Sequence, residues 1–521
     1  MSGKQKNRGA DVAPPAIELS GICKSFGPIK ANEDISMVVR KGTIHGIVGE
    51  NGAGKSTLMS ILYGFYRADK GAVFINGEEV SIKNSDDAIA AGIGMVHQHF
   101  MLVKPFSVLE NVILGAEGGW NQKKSLENAR VVLEKLAADY GLDVDPDAIV
   151  GELSVGLQQR VEILKALYRN AEVLILDEPT GVLTPSETVH LFRILNELKE
   201  QGKTIIFITH KLREILEITD TVSVMRRGRM EQTKQTNETN VKDLAQMMVG
   251  REVLLRVEKS KPKIGETILA VKNLGVVENG VARLKDVSFE IKAGEILGVA
   301  GVAGNGQSAL LDVLSGIGCA HSGSVEIHGK PINIDVPLQA ASRREVGIGH
   351  VPEDRHIRGL VTPFKVWENA HFGHHRSEEF TKGLLSNPKR MIEHSQKLLD
   401  AFDVRPNNPH IRTANLSGGN QQKVVLAREI DRNPDLLIIG QPTRGVDIGA
   451  IEYIHREIVK LRDAGKAILL VSVELEEILN LSDRVIVMFD GAISGERIAQ
   501  KTNEQDLGLL MAGIDEKERV S

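Results

Sequence analysis

The sequence predicts two consecutive α/β domains, each with a parallel-sheet core and a helical insertion. Three observations lead there. The chain has 521 residues, more than one hydrophobic core usually organises. A glycine-rich phosphate-loop pattern occurs twice, as Gly49-Glu50-Asn51-Gly52-Ala53-Gly54-Lys55-Ser56 and as Gly301-Val302-Ala303-Gly304-Asn305-Gly306-Gln307-Ser308, an offset of 252 between Gly49 and Gly301. Short apolar runs at 43–48, 173–176, 204–208, 436–439 and 467–471 suit strands buried on both faces of a parallel sheet. Only the first loop has the lysine.

The elements repeat in order. Residues 1–16 read as a polar tail, without the apolar core of a signal peptide. Ile17-Glu18-Leu19 is strand-like and recurs at Leu269-Ala270-Val271, again 252 residues on. The helix after each loop keeps one apolar stripe, Leu58, Ile61 and Leu62 against Leu310, Val313 and Leu314. Residues 125–140 place Leu126, Ala129, Leu133, Leu136 and Tyr140 at helical spacing with one apolar face. From Leu153 and Leu416 onward the offset is 263, and it holds at Asp177 and Gly440 and at His210 and Val473. So long a gapless register indicates duplication. The domains are read as 17–256 and 267–515, with a polar, proline-interrupted linker at 257–266 and a tail at 516–521. Ten linker residues reach at most about 33–36 Å.

Composition narrows the function. Net charge is −5, with 42% hydrophobic and 26% charged residues, the profile of a folded globular chain. The basic residues are scattered, which disfavours nucleic acid as a partner. No apolar run approaches the ~18 residues of a membrane span, so work at a membrane needs other chains to supply the spans. Cys23 and Cys319 fall in different halves without metal spacing and read as reduced thiols. His371, His374 and His375 have no supporting carboxylate or cysteine spacing, and a metal is not expected there.

The first half carries a complete set for phosphate chemistry. The loop from Gly49 to Ser56 ends a strand and opens a helix, so its amides can face phosphate oxygens. Lys55 would reach the β- and γ-phosphates, and Ser56 would ligate Mg²⁺. The run at 173–176 delivers Asp177 and Glu178 to a strand end, where α/β sheets place ligands. Asp177 suits a hold on Mg²⁺ and Glu178 suits polarisation of the attacking water. His210 ends another strand, placed for the γ-phosphate; Gln98 follows Gly94-Met95-Val96 and can offer its amide oxygen to Mg²⁺. Phe26 is a candidate adenine platform.

Leu153-Ser154-Val155-Gly156-Leu157-Gln158-Gln159-Arg160 and Leu416-Ser417-Gly418-Gly419-Asn420-Gln421-Gln422-Lys423 are similar to the LSGGQ signature of the ABC ATPases. The chain resembles that family of P-loop NTPases twice over, with all motifs in family order. The resemblance implies two ABC domains paired head-to-tail, with ATP and Mg²⁺ as cofactors. Each nucleotide would lie between one phosphate loop, here Gly49 to Thr57, and the other domain's signature. Sorting the motifs exposes an asymmetry. Lys55, Gln98, Asp177, Glu178 and His210 become Gln307, Glu353, Gly440, Gln441 and Val473, and Phe26 becomes Glu278. The second half instead keeps Ser417-Gly418-Gly419 and Asp447, where the first reads Ser154-Val155-Gly156-Leu157, with Val155 adding bulk and Leu157 removing a polar group, and has Thr184. In a head-to-tail pair all intact parts meet in one hydrolytic site and all altered parts in the other.

A narrower resemblance concerns transport. The first-half Leu-Ser-Val-Gly, the second-half run from Leu416 to Lys423, and Pro442-Thr443-Arg444-Gly445 with Asp447 are similar to ATP-binding subunits of simple-sugar and nucleoside importers. Gly440-Gln441 and Pro352-Glu353-Asp354-Arg355-His356 favour the nucleoside branch, served by basic-membrane-lipoprotein binding proteins, over the ribose and galactose types. The expected partners are two membrane-spanning permease subunits, docking near residues 98–106 and 353–364, and indirectly an extracytoplasmic solute-binding protein. Phe100, Met101, Leu102, Val103 and Phe106 supply the apolar character of the first dock. The expected location is the cytoplasmic face of the bacterial inner membrane, as a peripheral protein. The rival class is a soluble double-ABC factor acting on ribosomes or nucleic acid, which would carry a long charged linker and two competent sites.

Overall fold

The computed structural model describes residues 14–27, 29–97, 100–116, 122–181, 183, 185–251, 257–302, 304–374, 377–382 and 385–514. The chain divides into two compact units, Met1–Val253 and Leu254–Ser521. In unit 1 a six-stranded sheet runs, edge to edge, Arg229–Gln235, Thr221–Arg226, Ile44–Gly49, Thr204–Ile208, Val173–Asp177 and Ile93–Val96. All neighbours are parallel except the hairpin Thr221–Arg226 with Arg229–Gln235. Ile44, Ile47, Ile175, Ile206, Phe207 and Ile208 are fully buried, as strands with no solvent face require.

Unit 2 repeats the arrangement. Its sheet runs Ile348–Val351, Leu436–Gly440, Ala467–Val471, Ile296–Ala300, Arg484–Phe489 and Ala492–Ile498, with only the last pair antiparallel.

Each unit also has a four-stranded antiparallel sheet, which the reading of a parallel core passes over. In unit 1 it runs Ile29–Val39, Ile17–Phe26, Lys70–Ile75, Glu78–Val80. The unit 2 counterpart runs Val281–Lys292, Thr267–Glu278, Ser322–Ile327, Lys330–Ile332. One face meets solvent, so apolar residues alternate (Ile35, Met37 and Val39 inward) and no continuous run betrays the strand. This sheet shares one core with the helix Lys55–Leu62 through Leu58, Met59 and Leu62, packed with Ile47, Ile175, Ile206 and Ile208. Each fully buried aliphatic contributes about 1.5–3 kcal/mol, which pins the helix over the sheet's C-terminal ends.

The helical insertions are Val108–Ile113, Gln122–Asp139 and Val155–Tyr168 in unit 1, and Val366–Ala370, Pro388–Ala401 and Gly418–Asp431 in unit 2. Asn111 and Asn369 hold equivalent turns, accepting from the amides of Val103 and Val361 at 2.7 and 2.8 Å. Before those turns, unit 2 has three extra residues, and a π-helical turn, Arg355–Gly359, occupies the stretch. The linker segment is docked on unit 2. Lys259 Nζ donates to Ser482 O at 2.7 Å, and the buried Arg462 guanidinium donates to Ser260 O at 2.9 Å.

Candidate active site of the first unit

Four adjacent parallel strands of unit 1 end on one edge, and the residues that follow them carry the chemistry. After Ile44–Gly49 the chain turns through Gly52 (φ 83°) and Gly54 (φ 99°) into the helix Lys55–Leu62. A Cβ on Gly54 would stand 2.3 Å from Ala31 O and 2.7 Å from Asn32 Nδ2, so only glycine fits there. Asn32, whose Nδ2 donates to Gly54 O at 3.1 Å, locks the turn from a neighbouring strand. Glu50, Asn51, Gly52 and Ala53 form the arch, closed by Ala53 N donating to Glu50 O at 3.0 Å.

Lys55 is buried at the centre. Its ammonium donates to Gly49 O at 2.6 Å and Glu50 O at 3.2 Å. Burial pulls its pKa below the usual lysine range, against the opposing charges of Glu178, Asp177 and Glu50. A buried ammonium facing an arch of amides is matched to a polyphosphate. Ser56 and Thr57 follow in the first helical turn, and the Ser56 hydroxyl donates to Asp177.

Asp177 closes the strand Val173–Asp177. Burial, and then the neighbouring Glu178 charge, push its carboxyl up, while Ser56 and Lys55 pull it down. A hydroxyl and a carboxylate side by side suit a hard cation such as Mg²⁺. Among the described residues no group of three His, Cys, Asp or Glu is arranged to hold a metal by itself, so substrate phosphates and water would complete the shell, as Mg²⁺ sites usually do. When bound, the ion would neutralise phosphate charge.

Glu178 comes next, with φ 48°. This left-handed conformation is uncommon for a residue with a Cβ and costs about 1–3 kcal/mol. Its amide donates to Ile208 O at 2.8 Å, and Gln159 Nε2 holds the following Pro179 carbonyl at 3.0 Å. The turn aims the carboxylate at the end of the neighbouring strand, where His210 Nδ1 donates to Glu178 Oε1 at 3.0 Å. Burial pushes the Glu178 carboxyl up, but the His210 bond, with the charges of His210, Lys55 and Lys211, outweighs it, and the pKa falls below the usual carboxylate range. Glu178 is therefore an ionised acceptor in a half-buried site, able to orient a water and take its proton.

Other predicted residues fall as follows. Phe26 is exposed at the end of its strand, edge-on to Tyr66 at 5.1 Å, with Lys24 Nζ over its ring at 5.6 Å. Gln98 lies outside the described residues, as does Thr184. In unit 2, Ser417 caps the helix Gly418–Asp431, accepting from Asn420 Nδ2 at 2.8 Å. Asp447 caps Ile448–Asp463, accepting from Ala450 N at 2.8 Å. They are neighbours, since a Cβ on Gly419 would lie 2.5 Å from Asp447 Oδ2.

Sequence reading missed several supports. Glu214 accepts from Thr180 at 2.7 Å and Thr209 at 3.3 Å, joining the loops after Glu178 and before His210. Arg355 donates to Arg444 O at 2.7 Å and to Gly445 O and Gln421 Oε1 at 3.4 Å, bracing the second signature against the Asp447 loop. No motif spacing marks Glu214, and Arg355 stands out in sequence only as part of the stretch 352–356, not as a brace. His371, grouped with His374 in sequence, is occupied structurally: its Nδ1 meets Trp367 O at 2.9 Å and Ser395 Oγ at 3.2 Å. His375 lies outside the described residues.

A phosphate loop and a signature helix present in two copies of one fold, with a strand-end acidic pair in the first copy, define a duplicated nucleotide-binding cassette. The chain belongs to the ABC transporter family, whose model matches residues 32–181 and 284–444, and it is an ATP-binding ATPase of that family. It is 45% identical over 498 residues to the nucleoside import ATP-binding protein NupA of Lactococcus lactis subsp. cremoris, covering 95% of this chain and 98% of that one. Identity is 46% over 503 residues to the guanosine import ATP-binding protein NupO of Bacillus subtilis, with 96% and 98% covered. The glucose import ATP-binding protein TsgD13 of Haloferax volcanii is 41% identical, with 96% of each covered. Among solved structures, an archaeal ribosome recycling factor in complex with a ribosomal stalk protein aligns with a TM-score of 0.59 at 21% identity, covering 90% of this chain and 87% of that one; this likeness concerns the fold alone.

Proposed function

We propose that the chain is the ATP-hydrolysing subunit of an importer for nucleosides, with one competent site formed by Lys55, Gln98, Asp177, Glu178 and His210 of unit 1 together with Ser417, Gly418, Gly419 and Asp447 of unit 2. The single observation that carries the one-site reading is the contact of His210 with Glu178 in unit 1, matched in unit 2 by Val473 and Gln441. ATP binds with its phosphates on the arch from Gly49 to Thr57 and its base against Phe26. Ser56, Gln98 and Asp177 would hold Mg²⁺. Glu178 orients the attacking water and receives its proton, and His210 holds Glu178 and senses the γ-phosphate. Gln441 cannot act as a base, a loss of typically about 10²- to 10⁴-fold, so the second site turns over little.

No helix among the described residues is long and apolar enough to cross a membrane, so permease subunits would provide the path for the solute. They would dock beside Met101 and Phe106 in one unit and Ile357, Val361 and Phe364 in the other, all exposed apolar residues. The chain then works peripherally on the cytoplasmic face, below a solute-binding protein that it does not touch. The nucleoside assignment rests on the names of the two relatives at 45% and 46% identity. A monosaccharide importer of the ribose or galactose type is the second reading, favoured by a relative at 41% identity named for ribose, galactose and methyl galactoside import. A melting assay of the cognate solute-binding protein separates them: stabilisation by purine nucleosides is expected, and stabilisation by pentoses or hexoses alone overturns the nucleoside assignment. Co-purification with ribosomes rather than membrane subunits overturns the importer reading.

A further inference from the structure

The second phosphate loop is altered in a way that conserves its chemistry. Its backbone curl survives: Gly304 and Gly306 have φ 98° and 105°, and the helix Gln307–Ser315 starts as its counterpart does. Gln307 takes the place of Lys55 and donates through Nε2 to Val302 O at 3.2 Å, the carbonyl equivalent to Glu50 O. Its other amide atom, Oε1, is buried without a hydrogen-bond partner among the described residues, in a residue only 5% exposed. A buried carbonyl oxygen without a donor is unfavourable, and a cation or cation-bound water would satisfy it.

The carboxylate has moved rather than vanished. In unit 1 the Ser56 hydroxyl donates to Asp177 at the strand end. In unit 2 the Ser308 hydroxyl donates to Glu353 Oε2 at 2.7 Å, and Glu353 comes from the loop after Ile348–Val351, the position of Gln98. Gly440, in place of Asp177, makes room for it: a Cβ there would lie 2.5 Å from Glu353 Cγ and 3.0 Å from its amide nitrogen. The two exchanges are therefore sterically coupled. Charge is coupled too. Lys55, Gln98, Asp177 and Glu178 sum to a formal −1, and Gln307, Glu353, Gly440 and Gln441 sum to the same −1. Arg358, a cation on the adjacent turn that feels the Glu353 charge, is engaged by Asp312.

From this geometry we infer that the second phosphate loop binds a magnesium–nucleotide complex, with Glu353 and Ser308 as the oxygen pair facing the cation in place of a strand-end aspartate. Hard divalent cations need oxygen ligands and tolerate their supply from different elements. The site lacks a base at Gln441, so nucleotide bound there is retained rather than hydrolysed. All these residues belong to unit 2, and the inference stands whether or not the site proposed for unit 1 is correct.

The test uses the full chain with Lys55→Ala and Asp177→Asn, which disable the first loop, and Mn²⁺ as a paramagnetic probe in the presence of ATP. Bound Mn²⁺ is read by electron paramagnetic resonance, independently of turnover. A single ATP-dependent Mn²⁺ per chain is expected to remain, and Glu353→Gln, which keeps the side-chain volume, to weaken it by about ten- to a hundredfold. Combining Glu353→Ala with Gly440→Asp removes the Cγ that a Cβ at 440 would meet, returns the carboxylate to the strand end and is expected to recover binding, which a folding defect would not allow. No ATP-dependent Mn²⁺ signal, a signal indifferent to Glu353→Gln, or no recovery in the paired variant overturns the proposal.

Discussion

His210 Nδ1 stands 3.0 Å from Glu178 Oε1, and at the matching place in unit 2 the Val473 amide donates to Gln441 Oε1 at 3.3 Å. Both acceptors sit in the same left-handed turn, each with φ 48°. The scaffold that aims the side chain is thus kept in both units, and only the group at its tip differs. In unit 1 a carboxylate meets an imidazole; in unit 2 an amide meets the backbone.

Glu178→Gln should therefore abolish steady-state ATP hydrolysis, a loss of about 10²- to 10⁴-fold or more, while Gln441→Ala leaves the rate unchanged. Phosphate release from the chain assembled with its membrane subunits is the measurement. Comparable losses in the two variants rule out a single competent site.

A signature substitution asks whether the halves complement each other. Ser417→Arg fills the N-terminus of the helix Gly418–Asp431 with a bulky cation, and Ser154→Arg does the same to Val155–Tyr168. Hydrolysis should fall much further in Ser417→Arg if, as proposed, Ser417 serves the competent site. Equal losses argue against that assignment.

Gly440→Ala should destabilise unit 2 by about 1–3 kcal/mol, the usual cost of overpacking a core, because the new methyl meets Glu353 Cγ at 2.5 Å and Leu311 Cδ1 at 2.9 Å. Adding Glu353→Ala should recover part of the loss, giving a favourable coupling in a double-mutant cycle read by urea denaturation. Strict additivity means the two positions are not in steric contact.

His45 supplies a pH test. Its Nε2 meets Ser223 Oγ at 2.8 Å inside unit 1, and burial holds its pKa near 4, down from 6.5. The unfolded chain therefore takes up the extra proton first. His45 leaves stability unaffected above about pH 6.5; its penalty grows by up to ~1.4 kcal/mol per pH unit as pH falls from 6.5 towards 4, and is constant below that. His45→Gln keeps an atom for Ser223 without the titration, so its urea midpoint should vary less between pH 6.5 and 4. Parallel pH profiles for the two proteins exclude this contribution.

Much of this architecture is readable along the chain. The buried strands ending at Gly49, Asp177 and Ile208 stand out because a strand covered on both faces is a continuous apolar run, and the phosphate loop because its glycines recur at fixed spacing. The antiparallel sheets are less legible, since Ile35, Met37 and Val39 alternate with exposed residues. Supports such as Asn32 and Glu214 leave no trace at all. Their partners Gly54 and Thr180 lie 22 and 34 residues away, and nothing about an isolated Asn or Glu distinguishes a brace from a solvated surface residue.

The altered second loop marks the boundary between the two kinds of information. Residue types and a constant register were enough to identify a duplication, an intact set of groups in one half and a replaced set in the other, because motif chemistry is local to a few consecutive residues. From residue types, the change from Gln98 to Glu353 and that from Asp177 to Gly440 look like separate losses. Only the fold brings Gly440, at the end of one strand, against Glu353, at the end of its neighbour, and sets the Glu353 carboxylate on the Ser308 hydroxyl. Parallel strands place residues far apart in sequence side by side at one sheet edge, and steric and charge compensation is decided across that edge.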